Sequence, residues 1–439
     1  MIDTFDSANP VLIKRSKKRR SVPTPTIPRA SDRGVEWVGY EVARGLVLSA
    51  LKMRPPEFVP LAEALGRTLA RDIKAIENIP PFTKATMDGY AVRAEDIRTA
   101  GKDAAVELEV LEDLPAGRVS RRSVGRGQAV RIMTGAPLPK GADAVVMVED
   151  TERSSGRVKI RRVVRPADNT GQAGEDLKKG ELVLERGAVI GPAETGMLAA
   201  AGLARVPVVS RPKLAVIATG DEIVEPGERK AAGQIRNSNG PALLAMALRA
   251  GADAKYLGIA RDRRSSLRAK LARAGGADIL VLSGGVSVGD YDLVKDELRA
   301  AGVKPVFWQV RIKPGKPVFF GRRGGQLVFG LPGNPTGAMV TFLLFVQPAI
   351  ERLLGRTNPG PRSGRAVLAE DVVLKPGRTQ FLRGVLDAEG PILTVAPYPD
   401  QKSGVLRSMA RSGVLIVVQA DVSRLEKGRD VEILFMDGK

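Results

Sequence analysis

The sequence predicts a multidomain α/β protein centred on a doubly wound parallel sheet, and three observations carry that expectation. From residue 211 onward, short apolar β-branched runs alternate with stretches of helical period as far as about 354, the pattern of strands joined by crossover helices. Between 80 and 172 the character changes to short β-like runs separated by Gly and Pro, which predicts a small inserted β domain. The chain has 439 residues, more than one core fills, so several domains are expected.

Taken in order, residues 1–34 hold eight Lys or Arg against three Asp, and their Pro, Ser and Lys content without hydrophobic period predicts a disordered basic tail. Val42, Leu46 and Ala50 have helical spacing within 41–53, and Leu61, Leu65 and Leu69 suggest a second helix over 60–73. A return helix starts at Pro192, proline being favoured at the first helical position. These helices predict a helical linker domain over 35–79 and 173–210, interrupted by the β insertion at 80–172, whose runs lie at 104–111, 144–148 and 158–164.

The α/β domain is expected over 211–357. Its strands read at 214–219, 254–259, 278–282, 305–310 and 326–329, with helices at 241–250, 263–274 and 291–301 and an apolar helix to about Leu354. The stretch 355–361 has linker chemistry, and short strands beyond it predict a C-terminal β-barrel or sandwich over 358–439.

Composition then removes whole classes of chemistry. There is no Cys and no His, so thiolate nucleophiles, imidazole bases, disulfides and the usual zinc, copper and haem ligands are absent. Any metal must be held on oxygen, which makes magnesium the natural candidate, bound by one or two carboxylates together with substrate phosphates. The formal charge of +20 points to an anionic partner. Cations spread along the chain without interleaved aromatics argue against nucleic acid. No apolar run is long enough to span a bilayer, and Pro-rich polar sequence follows Lys14–Arg20 where a secretion signal needs an apolar core, so no membrane partner and a cytoplasmic location are expected.

In the α/β domain, polar loops follow buried strands at the edge where such folds bind ligands. The most informative is 283–292, Ser-Gly-Gly-Val-Ser-Val-Gly-Asp-Tyr-Asp, in which glycines let backbone N–H groups crowd an anion before a helix starts. Its two carboxylates would repel bare phosphate and suggest a bridging cation or a part in chemistry, although an ordinary tight turn would share the glycines. Thr219-Gly220-Asp221-Glu222 sets paired acids after a buried strand, with helix capping as the alternative use. Lys313-Pro314-Gly315-Lys316-Pro317 presents two ammonium groups on a stiff turn suited to a small oxyanion. Leu331-Pro332-Gly333-Asn334-Pro335 presets either a ligand wall or a helix start. In the β insertion, Met87-Asp88-Gly89-Tyr90 and Met133-Thr134-Gly135-Ala136 are polar turns beside apolar runs, and Gly174-Glu175-Asp176 adds two acids near the return helix.

These seven motifs, in this order and spacing from about Val35 to the C-terminus, resemble the molybdopterin molybdenumtransferase family, which performs the last step of molybdenum cofactor synthesis and includes the E domain of gephyrin. The resemblance implies an elongated homodimer of four domains. Its active cleft would lie between the molybdopterin-binding α/β domain of one subunit and the inserted β domain of the other, with Asp88, Thr134 and Asp176 acting in trans. The implied reaction takes adenylylated molybdopterin and molybdate, with magnesium, to molybdenum cofactor and AMP, with contact to the adenylyltransferase that makes the substrate.

Carried over position by position, the resemblance gives catalytic roles to Asp88, Glu222 and Asp292. Adenylylated molybdopterin would be bound by Thr134, Asp176, Thr219, Asp221, Gly284, Gly285, Ser287, Gly289, Pro332 and Asn334. Molybdate would be bound by Lys313, Lys316, Arg383 and Ser408, and the metal by Asp262 and Asp292. The chain departs from the family pattern at Ala85, where serine is common, at Gly171, Gln172 and Ala173, where arginines are frequent, and at Gln309, where lysine is frequent; Arg311 restores part of that charge. Most departures fall on the trans half. The alternatives are a tungstate-preferring paralogue, a non-catalytic scaffold or anion-binding protein of the same fold, and the lone-domain molybdopterin adenylyltransferase, against which the extra domains and the lysine turn argue.

Overall fold

The computed structural model describes residues 37–49, 51–285 and 293–436; the expected basic tail, with Ser287, Gly289 and Asp292, lies outside the described residues. The central sheet has six strands: Lys213–Thr219 (β1), Asp253–Ala260 (β2), Ile279–Ser283 (β3), Lys304–Phe307 (β4), Phe319–Arg323 (β5) and Gln326–Leu331 (β6). Their order is β2-β1-β3-β6-β5-β4, parallel through β2, β1, β3 and β6 and antiparallel at β5 and β4. The helices Asn239–Ala250 (α1), Arg264–Arg273 (α2) and Leu293–Ala300 (α3) are the crossovers, and Pro335–Thr341 (α4) follows β6.

Alternation along the strands fills both faces. Val216, Ile279, Val281 and Phe329 pack with Leu243 and Met246 of α1, while Ile217, Leu280, Leu282 and Val328 pack with Leu267 and Leu271 of α2 and Leu298 of α3. Phe329 is fully buried, with its ring centroid 5.0 Å from that of Phe320. Phe329→Ala should therefore lower unfolding free energy by about 3–5 kcal/mol in chemical denaturation. A loss below about 1 kcal/mol would contradict its place in the core.

Two β units flank this sheet. The insertion forms a six-stranded mixed sheet in the order 144–147, 89–92, 128–132, 106–114, 157–160, 151–154. The C-terminal unit is a closed barrel: strand Thr379–Asp387 pairs with both Thr394–Pro397 and Val414–Val418, and the ring is completed through Ser363–Leu368 and Asp430–Phe435. Closure leaves these strands no free edge, and Ile416, Ile433 and Val395 fill the interior. The barrel is joined to the sheet domain at a defined register, because Ile312–Lys313 pairs in parallel with Thr379 and Gln380. Glu351 fixes the linker, accepting from Arg356 Nη1 at 3.0 Å and from the Gly360 N–H at 2.6 Å.

Several elements differ from the sequence expectation. Residues 60–73 are not a helix: Pro56–Pro60 is a strand paired with Arg205–Val209, and a 3₁₀ turn at Leu61–Glu63 is all the helix that remains. Gly66 takes φ +73°, which ends a right-handed helix, and Leu65 is exposed while Leu69 is buried, so the three leucines share no face. The first helix, Tyr40–Leu48, stops short of 53 because Pro55 and Pro56 disfavour helix in the residues before them, and it packs Ala43 and Val47 into the sheet domain's core. Strand β5 was not anticipated, since its Phe-Phe-Gly-Arg-Arg run is short and polar at one end. The apolar helix after β6 passes through a π segment, Phe342–Val346, ahead of Pro348, whose missing N–H cannot continue the ladder.

Candidate active site

The parallel strands end level: Ala218 is opposite Ser283, and Ser283 opposite Leu331. The chain leaves β1 toward β2 and returns on its other side as β3, so the fold's switch point lies between Thr219 and Ser283. Thr219 is buried and donates from Oγ1 to the Ser283 carbonyl at 3.3 Å. Gly284 crosses this point so closely that a Cβ would lie 2.8 Å from the Thr219 carbonyl oxygen, and its φ of +92° is left-handed. Its N–H is already committed, donating to the Leu331 carbonyl at 3.1 Å, so Gly284 ties β3 to β6 and gives no donor to an anion.

Arginine and asparagine complete the frame. Arg261 Nη1 donates to the Ile223 carbonyl at 2.8 Å and the Asp221 carbonyl at 3.3 Å, clamping the acidic loop from the end of β2. The Asp262 N–H donates to Asp221 Oδ1 at 3.2 Å, which sets two exposed carboxylates on adjoining loops. Asn239, at the start of α1, donates from Nδ2 to Ser283 Oγ at 2.9 Å and to the Gly333 carbonyl at 2.7 Å.

A cavity of about 1020 Å³ opens beside these loops, with Glu222 but neither Asp221 nor Asp262 in its lining. The sheet domain lines it with Glu222, Gly284, Gly285, Lys313, Lys316, Pro332 and Asn334, and the barrel with Arg378 and residues 400–403. A smaller cavity of about 120 Å³ adjoins it, sharing Glu222, Gly284 and Asn334 and adding Thr219, Ser283 and Asn239. The barrel side is stitched on by Asn334 Nδ2, which donates to Ser403 Oγ at 3.0 Å, and by Thr336 Oγ1, which donates to the Ser403 carbonyl at 2.8 Å. Lys316 Nζ stands 4.6 Å from the centre of the Trp37 ring, a cation–π contact that orders one of the two lysines.

Arg383 and Ser408 are buried behind this wall. The Arg383 guanidinium donates to Ser408 Oγ at 3.1 Å and to the carbonyls of Lys402 and Asp400 at 3.2 and 3.3 Å. Burial pulls its pKa below the usual arginine value. The pair holds up the 400–403 segment that faces the cavity. Gln309 is also buried, and its Oε1 finds no partner among the described residues.

The insertion gathers its own polar turns. The Thr134 N–H and Oγ1 both donate to Asp88 Oδ1 at 2.7 Å, so two motifs far apart in sequence form one exposed unit. Gly89 must be glycine, since a Cβ would lie 1.9 Å from the Val146 carbonyl oxygen. Strand Lys84–Ala85 pairs with Thr170–Gly171, which brings the Gly174–Asp176 turn alongside, and the Asp176 N–H donates to the Ile79 carbonyl at 3.1 Å. At Gly171 a Cβ would lie 2.8 Å from Glu175 Oε1, so the folded-back Glu175 fills the space an arginine would need. Asp88, Thr134 and Asp176 do not line the 1020 Å³ cavity within this chain.

The Thr134 backbone and hydroxyl bonds hold the Asp88 carboxyl below its ordinary pKa. Because folding depresses this pKa, the bonds stabilise the fold above the ordinary carboxylate range, and that contribution is lost as pH falls through the depressed value. Thr134→Val deletes the hydroxyl donor alone, so an NMR titration should find the Asp88 pKa raised. An unchanged value would contradict the bond. No group of three or more acidic side chains gathers closely enough to hold a metal among the described residues.

Sequence reasoning found the loops and missed their braces. Asn239 sits in the Asn-Ser-Asn-Gly cluster that opens α1, a run of cap-forming residues that could have marked it. Arg261 carried no signal beyond its position after β2. Arg378 and Ser403 reach the cavity only through the barrel's register, which no local pattern reveals.

The chain matches three family models: the MoeA N-terminal region (domain I and II) over residues 38–202, a probable molybdopterin binding domain over 215–352, and the MoeA C-terminal region (domain IV) over 365–436. It is 36% identical over 390 residues to a molybdopterin molybdenumtransferase of Bacillus subtilis, covering 88% of this chain and 91% of the relative. It is 37% identical over 396 residues to molybdopterin molybdenumtransferase 2 of Mycobacterium tuberculosis, covering 88% and 97%. Among solved structures, the molybdopterin biosynthesis moeA protein of Pyrococcus horikoshii superposes with a TM-score of 0.79 at 36% identity, covering 92% of this chain and all of that one.

Proposed function

The chain belongs to the molybdopterin molybdenumtransferase family, an enzyme family of molybdenum cofactor biosynthesis, and on that premise we propose that it takes molybdenum from molybdate into adenylylated molybdopterin with release of AMP. The observation that carries this reading is the cavity of about 1020 Å³, whose lining combines two unlike sets of groups. The glycine turn and acidic loop suit a phosphate-bearing substrate with a bridging cation, and the lysine turn suits a small oxyanion. Thr219, Asp221, Gly285, Pro332 and Asn334, with Ser287 and Gly289 outside the described residues, hold the adenylylated pterin, and Gly284 shapes the turn it meets. Glu222 and Asp292 act at the reacting phosphate, while Lys313 and Lys316 take molybdate. Arg383 and Ser408 serve molybdate by supporting the wall it meets.

Magnesium fits the donor chemistry, because Asp221 and Asp262 offer carboxylate oxygens on adjoining loops and phosphate oxygens would complete such a shell. Asp292 joins them in this reading. Bound there, magnesium supplies charge neutralisation at the phosphates. Asp88, Thr134 and Asp176 face the cleft of a second copy in a homodimer, which accounts for their standing apart from the cavity of their own chain. Mixing Asp88→Ala with Asp292→Ala subunits should then restore one working site per heterodimer, and no restored activity would contradict shared sites. The adenylyltransferase hands over its product by direct contact, in the cytoplasm; no helix of the described residues is long and apolar enough to cross a membrane.

Incubation of the protein with adenylylated molybdopterin, magnesium and molybdate should produce cofactor that activates a cofactor-free molybdenum enzyme. Failure to activate it would leave the scaffold reading in place. Faster production from tungstate than from molybdate would instead favour the tungstate-preferring paralogue.

A further inference from the structure

The cavity wall holds a further cation. Arg378 is half-buried, lines the 1020 Å³ cavity, and has no ion-pair partner among the described residues. Its position is fixed by backbone, not by its own side chain. Gly377 takes φ +108° and donates its N–H to the Ala420 carbonyl at 2.6 Å, turning the chain into the barrel strand. The next residue, Thr379, pairs with Ile312 and donates its N–H to the Arg311 carbonyl at 3.1 Å, while Gln380 pairs with Lys313. The barrel thus delivers Arg378 beside the lysine turn at a set register.

The other barrel cations near the cavity are already engaged. Arg383 spends its guanidinium on Ser408 and the carbonyls of Asp400 and Lys402, and Lys402 stands 3.9 Å from Asp400. Lys313, Lys316 and Arg378 line the same cavity. Two ammonium groups neutralise a dianion without orienting it, because each is a point charge on a flexible stem. A guanidinium adds a planar fork that grips two oxygens of a tetrahedral anion at once. We infer that Arg378 is a third binding residue for the tetrahedral oxyanion substrate, supplied by the barrel to orient molybdate against Lys313 and Lys316. This rests on the function proposed above.

The test is the dependence of AMP release on molybdate concentration for the full-length wild type, R378Q and R378K, with the pterin substrate saturating. R378Q should raise the molybdate KM about 10- to 100-fold with kcat little changed, and R378K, which keeps charge without the fork, should fall between. Equilibrium dialysis of molybdate alone against the same proteins should show the matching loss of binding, independent of turnover. If the wild type releases no AMP, the proposed function fails. If the wild type works and R378Q keeps its molybdate KM, the Arg378 inference fails while the function stands. In the converse titration, with molybdate saturating, a change confined to the KM for adenylylated molybdopterin would assign Arg378 to the nucleotide phosphate and overturn the inference. Loss of folding in both variants would show that the guanidinium serves the barrel and would overturn it equally.

Discussion

Gly284→Ala should lower turnover by about 100-fold or more while leaving the protein folded. The left-handed φ of +92° costs a non-glycine residue roughly 1–2 kcal/mol, and the new Cβ would press within 2.8 Å of the Thr219 carbonyl oxygen and 2.9 Å of its hydroxyl. Neither neighbour yields easily. Thr219 is the last residue of β1 and is buried, and Gly284 itself is tied by its N–H to the end of β6. The strain is relieved by moving the turn that faces the cavity, and a shift near 1 Å at a reacting centre is enough for a loss of that size. Rates of AMP release measured beside the thermal unfolding midpoint check this. A near-native rate would mean that the glycine turn does not position the substrate.

Lys313→Met should raise the molybdate KM by about 10- to 100-fold, as expected for loss of one charge-assisted contact. Lys313 is exposed in the cavity wall and has no ion-pair partner among the described residues, so its charge is not spent on the fold. The turn that carries it is rigid for a visible reason: Gly315 takes φ +101°, and a Cβ there would lie 2.3 Å from Thr341 Cγ2 in α4. Methionine keeps the length of the stem, so the loss reports charge. Steady-state kinetics against molybdate at two salt concentrations would check it, because wild-type affinity should fall with salt more steeply than that of the variant. Unchanged molybdate dependence would remove the lysine turn from the substrate's path.

The parts of this architecture that were legible in sequence are those governed by local rules. Strands β1, β3 and β6 announce themselves as buried β-branched runs, and the loops that follow them carry Gly, Pro and paired acids that have no place in a core. Residues 60–73 misled because leucines at helical spacing also occur by chance, and tertiary pairing with Arg205–Val209 and the left-handed Gly66 outweighed propensity. The lysine-lined part of the cavity was half legible. The lysine turn is visible in sequence, but Arg378, just before a strand, and Arg383 within it stand five positions apart, an odd offset that period two sends to opposite faces. Only the barrel's closure decides that Arg378 meets the cavity and Arg383 the interior. The same holds for Asn239 and Ser403, whose hydrogen bonds join segments 94 and 69 residues away in sequence.

That a single cavity between the sheet domain and the barrel joins an adenylylated pterin to an oxyanion is tested most directly by following AMP in single-turnover reactions of the full-length protein loaded with adenylylated molybdopterin and magnesium. Addition of molybdate should release one AMP per site, and its omission should leave the nucleotide bound. AMP release that is indifferent to molybdate, or absent with it, would contradict the coupling of the two substrates in one cavity.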